Sequence, residues 1–131
     1  MKLFILIFSF TALLIPAANC EVSPNFAPIA AALSSGNADA LGKYFDAEVE
    51  ITIFEKADSY ARDAATSVMR DFFFRNKPKS FNQLHQGASK GKDTQYSIGE
   101  IATVTGNYRV YLYMKVVGEA YIIQEIRIGK N

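Results

Sequence analysis

The sequence predicts an α+β domain in which helices come first and cover one face of an antiparallel sheet. Three observations carry this. Residues 95–128 read as three consecutive strands, 95–105, 108–117 and 120–128, filled with Val, Ile, Tyr and Thr. Their connections, Gly106-Asn107 and Gly118-Glu119, have the permissive backbone that two-residue hairpin turns need. Upstream, apolar residues recur at three- and four-residue steps, as on helices buried along one stripe.

Each element has its own signal. Asn25 can cap a helix from Phe26, with Pro28 in its first turn and Phe26, Ile29, Ala30 and Leu33 on one face. Gly36 ends it, and Asn37 caps a short second helix expected to run to about Phe45. Residues 49–54 alternate Val49, Ile51 and Ile53 with Glu50 and Thr52, a strand with one wet face. Residues 55–59 are polar and read as a turn. The longest helix spans 62–76, with Ala65, Val68, Met69, Phe72 and Phe73 inward and Phe74 toward the flank; Pro78 stops it. Residues 80–87 read as a further strand through Phe81 and Leu84, followed by a polar loop, 87–94. That loop holds Gly, Ser and Lys but lacks the Gly-Lys-Ser/Thr ending and a following helix, so it is no phosphate loop.

Composition narrows the function classes. The chain of 131 residues suffices for one domain, and 50% of it is hydrophobic. Lys and Arg number 14 against 13 acidic residues, without a basic run, which argues against nucleic acid as a partner. Residues 1–20 read as a signal peptide: Lys2, an apolar stretch broken at Pro16, then Ala17 and Ala18. The apolar run is shorter than the roughly 20 residues of a spanning helix. The domain proper is then 21–131, exported to the periplasm or secreted. Cys20, the single cysteine, is either removed near the cleavage site or lipidated as the anchor of an envelope lipoprotein. In both cases no disulfide framework is expected.

The segments Ser35-Gly36-Asn37-Ala38-Asp39-Ala40-Leu41, Arg70-Asp71-Phe72-Phe73, Tyr108-Arg109-Val110-Tyr111 and Tyr121 to Ile128 carry a resemblance. They resemble a domain-of-unknown-function family of short exported bacterial proteins, similar to the nuclear transport factor 2-like superfamily. The resemblance implies a cystatin-like α+β cone, a curved antiparallel sheet wrapped on a long helix, and dimerisation through the sheet. It implies no reaction, and no catalytic residue is carried over. Where the family pattern usually has Ser capping the long helix, this chain has Ala61.

Register then divides the meander. With two-residue loops at both turns, Ile101 faces Leu112, Leu112 faces Glu125, and Val110 faces Arg127. One side collects Ile101, Val110, Leu112, Met114, Tyr121, Ile123, Glu125 and Arg127; a bulge would swap part of this assignment. A carboxylate and a guanidinium among aliphatics suit a pocket, so Glu125, Arg127, Leu112, Met114, Tyr121 and His85 are the candidate ligand residues, against the alternative that the charged pair simply reaches solvent. The other side collects Tyr96, Tyr111, Tyr113, Ile122 and Ile126, too apolar for a solvated face, and is the expected interface with a partner.

His85 is the single histidine and a candidate general base; alone it builds no metal site, and no cofactor motif is present. Three functions remain open. One is a non-enzymatic domain, working as a homodimer, that binds a small apolar ligand or a protein. Another is an isomerase or dehydratase with His85 or Glu125 as base. The third is an immunity or assembly accessory of the envelope.

Overall fold

The structure, a computed structural model, describes residues 24–88 and 93–131. The expected leader with Cys20, and part of the polar loop after Gly87, lie outside them. The element order is α1 (Ala27–Ser35), α2 (Ala38–Gly42), β1 (Phe45–Ile53), β2 (Lys56–Ala61), α3 (Arg62–Arg75), β3 (Pro78–Ala88), β4 (Thr94–Thr103), β5 (Gly106–Val117) and β6 (Ala120–Lys130). The six strands form one sheet in the order β2-β1-β6-β5-β4-β3. Neighbours are antiparallel except β1 and β6, which run parallel. The α+β class and the three-strand meander are as the sequence implies.

Local chemistry explains most boundaries. The Asn37 side chain accepts the Ala40 N–H at 3.0 Å and starts α2, and Asn25 accepts from Ala27 ahead of α1. Ala61 precedes α3 without a side-chain cap; Asp63 in the first turn and Arg75 in the last complement the helix dipole instead. Ion pairing of Arg70 with Asp39 joins α3 to α2. Ile29, Leu33, Leu41, Met69 and Phe72 from the helices meet Ile51, Ile101, Leu112, Met114 and Ile123 from the sheet in one core. Phe74 is 87% exposed, as the helical phase requires.

Two expected elements change. The second helix stops at Gly42, because the chain turns into β1, where Tyr44 accepts the Ile123 N–H at 2.7 Å. The polar stretch expected to turn is strand β2, which pairs only with β1 and is exposed apart from Tyr60. A strand at a sheet edge needs no hydrophobic alternation, so its sequence looks like a loop.

The register differs from expectation at the first turn of the meander and, beyond the expected Gly118-Glu119 turn, at a bulge in β6. Thr103 pairs with Gly106, so Val104-Thr105 make the β4–β5 turn and Ile101 faces Tyr108 instead of Leu112. The Thr103 hydroxyl donates to the Gly106 carbonyl at 2.8 Å and accepts the Thr105 N–H at 3.2 Å, hydrogen bonds that set the turn earlier than the Gly-Asn pair suggests. Being a slip by an even number of residues, it leaves every side chain on its expected face. On β6 the shift is odd. Met114 pairs with Ile123, but Tyr113 pairs with Glu125, so Gln124 is an extra, bulged residue. Beyond it the faces exchange: Ile126 and Ile128 turn into the core, and Glu125 and Arg127 turn outward.

Candidate functional site

The bulge decides where the expected site residues lie. Leu112 and Met114 are fully buried core, and Tyr121 is buried with its hydroxyl held by Gln86 and Gln95 at 2.9 Å each. Glu125, Arg127 and His85 stand on the opposite face. The six residues expected to line one pocket therefore form no common wall. Ile126, expected in the outer interface, belongs to the core instead. For Glu125, Arg127 and Ile126 the cause is the odd register shift at Gln124, whereas His85 faces outward through its own pairing with Ile98 of β4.

The outer face carries a continuous aromatic and ionic strip. Gly87 and Tyr96 are cross-strand partners, and a Cβ at Gly87 would lie 2.6 Å from the Tyr96 hydroxyl. The bare glycine lets the tyrosine lean over β3, which brings its hydroxyl to 3.0 Å from His85 Nε2. On the neighbouring strand Tyr111 stacks on Tyr96, ring centroids 6.2 Å apart and planes inclined by 11°. Arg127 of β6 lies over the Tyr111 ring at 5.9 Å. Its guanidinium also pairs with Glu125, and that bond, more than the added charge of Glu50, raises the Arg127 pKa. His85, Tyr96, Tyr111 and Arg127 thus link four adjacent strands.

The outer face is half-buried at its centre, through Tyr96, Ile98, Tyr111, Tyr113 and Ile122. Around this centre stand Asp46, Glu50, Glu100 and Glu125 and, of opposite sign, Arg109, Lys115 and Arg127, so the face carries charges of both signs. Lys115 reaches Asp46 at 2.9 Å, and Gln124 donates to the same carboxylate at 3.3 Å.

A concavity lies on the helix side, between α3 and the β1–β2 hairpin, with a volume of about 570 Å³. Helical periodicity builds one wall: Val68 and Phe72 point to its floor, and Ser67, Asp71 and Arg75 rise one row above them. Strand alternation builds the other from Ile51 and Ile53, with Tyr60 and Lys56 from β2. Phe54 closes the end near the hairpin turn, where it holds φ 58°, unusual for an aromatic residue, and packs edge-on against Tyr108 with centroids 5.3 Å apart. The sequence reading missed this cleft. The stretch that supplies its β2 wall reads in the sequence as a turn.

Neither place assembles a recognisable catalytic set. His85 is exposed and outside the cleft, and the described residues contain no group of three or more His, Cys, Asp or Glu placed to hold a metal ion.

Comparison with known proteins agrees with the fold. A family model described as a domain of unknown function (DUF4783) matches residues 26–129. The crystal structure of a DUF4783 family protein from Bacteroides ovatus is 34% identical, covering 80% of this chain and 94% of that one, with a TM-score of 0.74. Its counterpart from Bacteroides uniformis is 33% identical over 80% of this chain and 95% of that one, also at 0.74. A designed protein of nuclear transport factor 2-like type, 14% identical, covers 79% of this chain and 92% of its own with a TM-score of 0.61, a likeness of fold alone. No curated protein matches the chain.

Proposed function

The chain belongs to the DUF4783 family, whose fold is nuclear transport factor 2-like, and from that premise we propose a non-enzymatic, exported binding domain that acts as a homodimer through its outer sheet face. The observation that carries this reading is the strip from His85 to Arg127, an aromatic centre that no helix of the described residues covers. Four strands about 4.8 Å apart and about ten residues long offer a footprint on the order of 600 Å² per copy, close to the roughly 800 Å² of a standard interface. Acidic and basic groups side by side around that centre suit a second copy of the same surface better than a strongly charged partner. Export rests on the leader-like residues 1–20.

An isomerase or dehydratase would need its base in an enclosed, water-poor site. His85 and Glu125 stand on an open face, which favours binding over catalysis.

Sedimentation equilibrium from about 1 to 100 µM tests the dimer. The wild type should sediment as a dimer and the double variant Tyr96→Glu, Tyr111→Glu as a monomer with an unchanged far-UV circular dichroism spectrum. A wild type that remains monomeric at about 100 µM would overturn the reading.

A further inference from the structure

We propose that the cleft between α3 and the β1–β2 hairpin is a binding site for a single-chain amphiphile with a carboxylate head. It lies on the side of the sheet away from the outer strip and does not depend on dimerisation. Its volume, about 570 Å³, falls in the range of small-molecule sites, roughly 300–1,000 Å³. The floor of Ile51, Ile53, Val68 and Phe72 offers no polar side chain to a ligand, which selects a hydrocarbon chain.

The rim selects the head. Asp71 accepts from Arg75 Nε at 3.2 Å, so these two charges satisfy each other. Ser67 donates to the Asp63 carbonyl at 3.2 Å, and Asn76 is engaged with the Phe72 carbonyl and the Thr105 hydroxyl. Asp58 lies on the Lys56 side of β2, but its carboxylate accepts the Ser59 N–H at 2.9 Å and does not line the cleft. Lys56 forms no ion pair with a carboxylate of the described residues. One unmatched positive charge above an apolar floor fits a singly charged anionic head, and a carboxylate carries that charge near neutral pH. The exposed Phe54 ring, held by its left-handed backbone and by Tyr108 at the same hairpin end as Lys56, would cover the carbons next to the head, and the rest of the chain would run along the floor away from the hairpin.

The test is isothermal titration calorimetry of the full domain with three probes, dodecanoate, dodecanol and dodecyltrimethylammonium, each below its micelle concentration. Dodecanoate should bind with a Kd of roughly 10–100 µM and the other two about tenfold more weakly or less. Lys56→Glu, at an exposed position, should weaken dodecanoate about tenfold and erase its advantage over dodecanol. Val68→Trp, with circular dichroism to show the fold retained, should abolish binding by filling the floor. Absence of dodecanoate binding at about 1 mM overturns the proposal, as do equal affinities for all three probes or binding unaffected by both variants. A monomer that still binds dodecanoate would remove the dimer reading and leave this one standing.

Discussion

Lys115 of β5 reaches past β6 to Asp46 of β1, its Nζ 2.9 Å from the carboxylate. The strand between them is the one that bulges, and the bulged residue, Gln124, donates to the same Asp46 oxygen at 3.3 Å. Three strands are thereby fastened where the backbone ladder is irregular on both β1 and β6.

This cluster predicts an acid-sensitive contribution. The hydrogen bond from Lys115, then that from the Ala47 N–H and then that from Gln124, lower the Asp46 pKa from its ordinary 3.8. A carboxyl group depressed in the folded state adds stability above the unfolded value, and that share disappears as pH falls through the folded value. Urea midpoints measured from about pH 6 down to about pH 2.5 should therefore fall more steeply for the wild type than for Asp46→Asn. The difference at neutral pH should be modest, because both side chains reach solvent. Parallel curves would show that the pair makes no such contribution.

Gln124 should tolerate both substitution and removal, since it is the extra residue of the bulge. Gln124→Ala loses one hydrogen bond to Asp46 and keeps the extra residue, so it should fold. Deleting residue 124 would join Ile123 to Glu125 in a regular ladder in which Glu125 and Arg127 stay outward and Ile126 and Ile128 stay in the core. The deletion variant should keep a cooperative thermal transition, with a lower midpoint because the contact with Asp46 is lost; loss of the cooperative transition would contradict the assignment of Gln124 as the extra residue.

The three consecutive phenylalanines of α3 offer a test of helical phase. Phe73, 5% exposed, should cost about 3–5 kcal/mol on change to alanine. Phe74, 87% exposed, should change stability by no more than about 0.5 kcal/mol. Denaturant unfolding of the two variants separates them directly.

Gly99 should resist a methyl group. A Cβ there would lie 2.4 Å from Phe81 Cζ and 2.8 Å from the Asn82 carbonyl oxygen, and the second of these is backbone that cannot rotate away. Gly99→Ala should destabilise by about 1–3 kcal/mol. Adding Phe81→Ala should not restore the loss, because the Asn82 contact stays. Full recovery in the double variant would place the whole clash on the ring.

The sequence discloses the elements whose local pattern and tertiary use coincide. Asn37 starts a helix in both readings, the apolar stripe of α3 is the buried one, and the outer tyrosines Tyr96, Tyr111 and Tyr113 keep their face. What escaped it was set by contacts between distant parts of the chain. Lys56–Ala61 is a strand because β1 lies beside it, and its own residues carry no alternation. Gln124 bulges without a glycine to mark it, so Glu125 and Arg127 were assigned to the wrong side and Ile126 to the wrong surface. The cleft needs α3 and β2 together, and no local pattern announces a space between two elements.

The parallel seating of β1 against β6 has a consequence for the order of folding. Each pair within the meander closes over a short connection, whereas Ile51 must find Ile126 across most of the chain. Local hairpins form early, and pairings of large sequence separation come late because loop closure must precede them. The helical half and β1 therefore wait on β6, and a chain cut short before Ile126 would leave β1, β2 and α3 without the edge they complete.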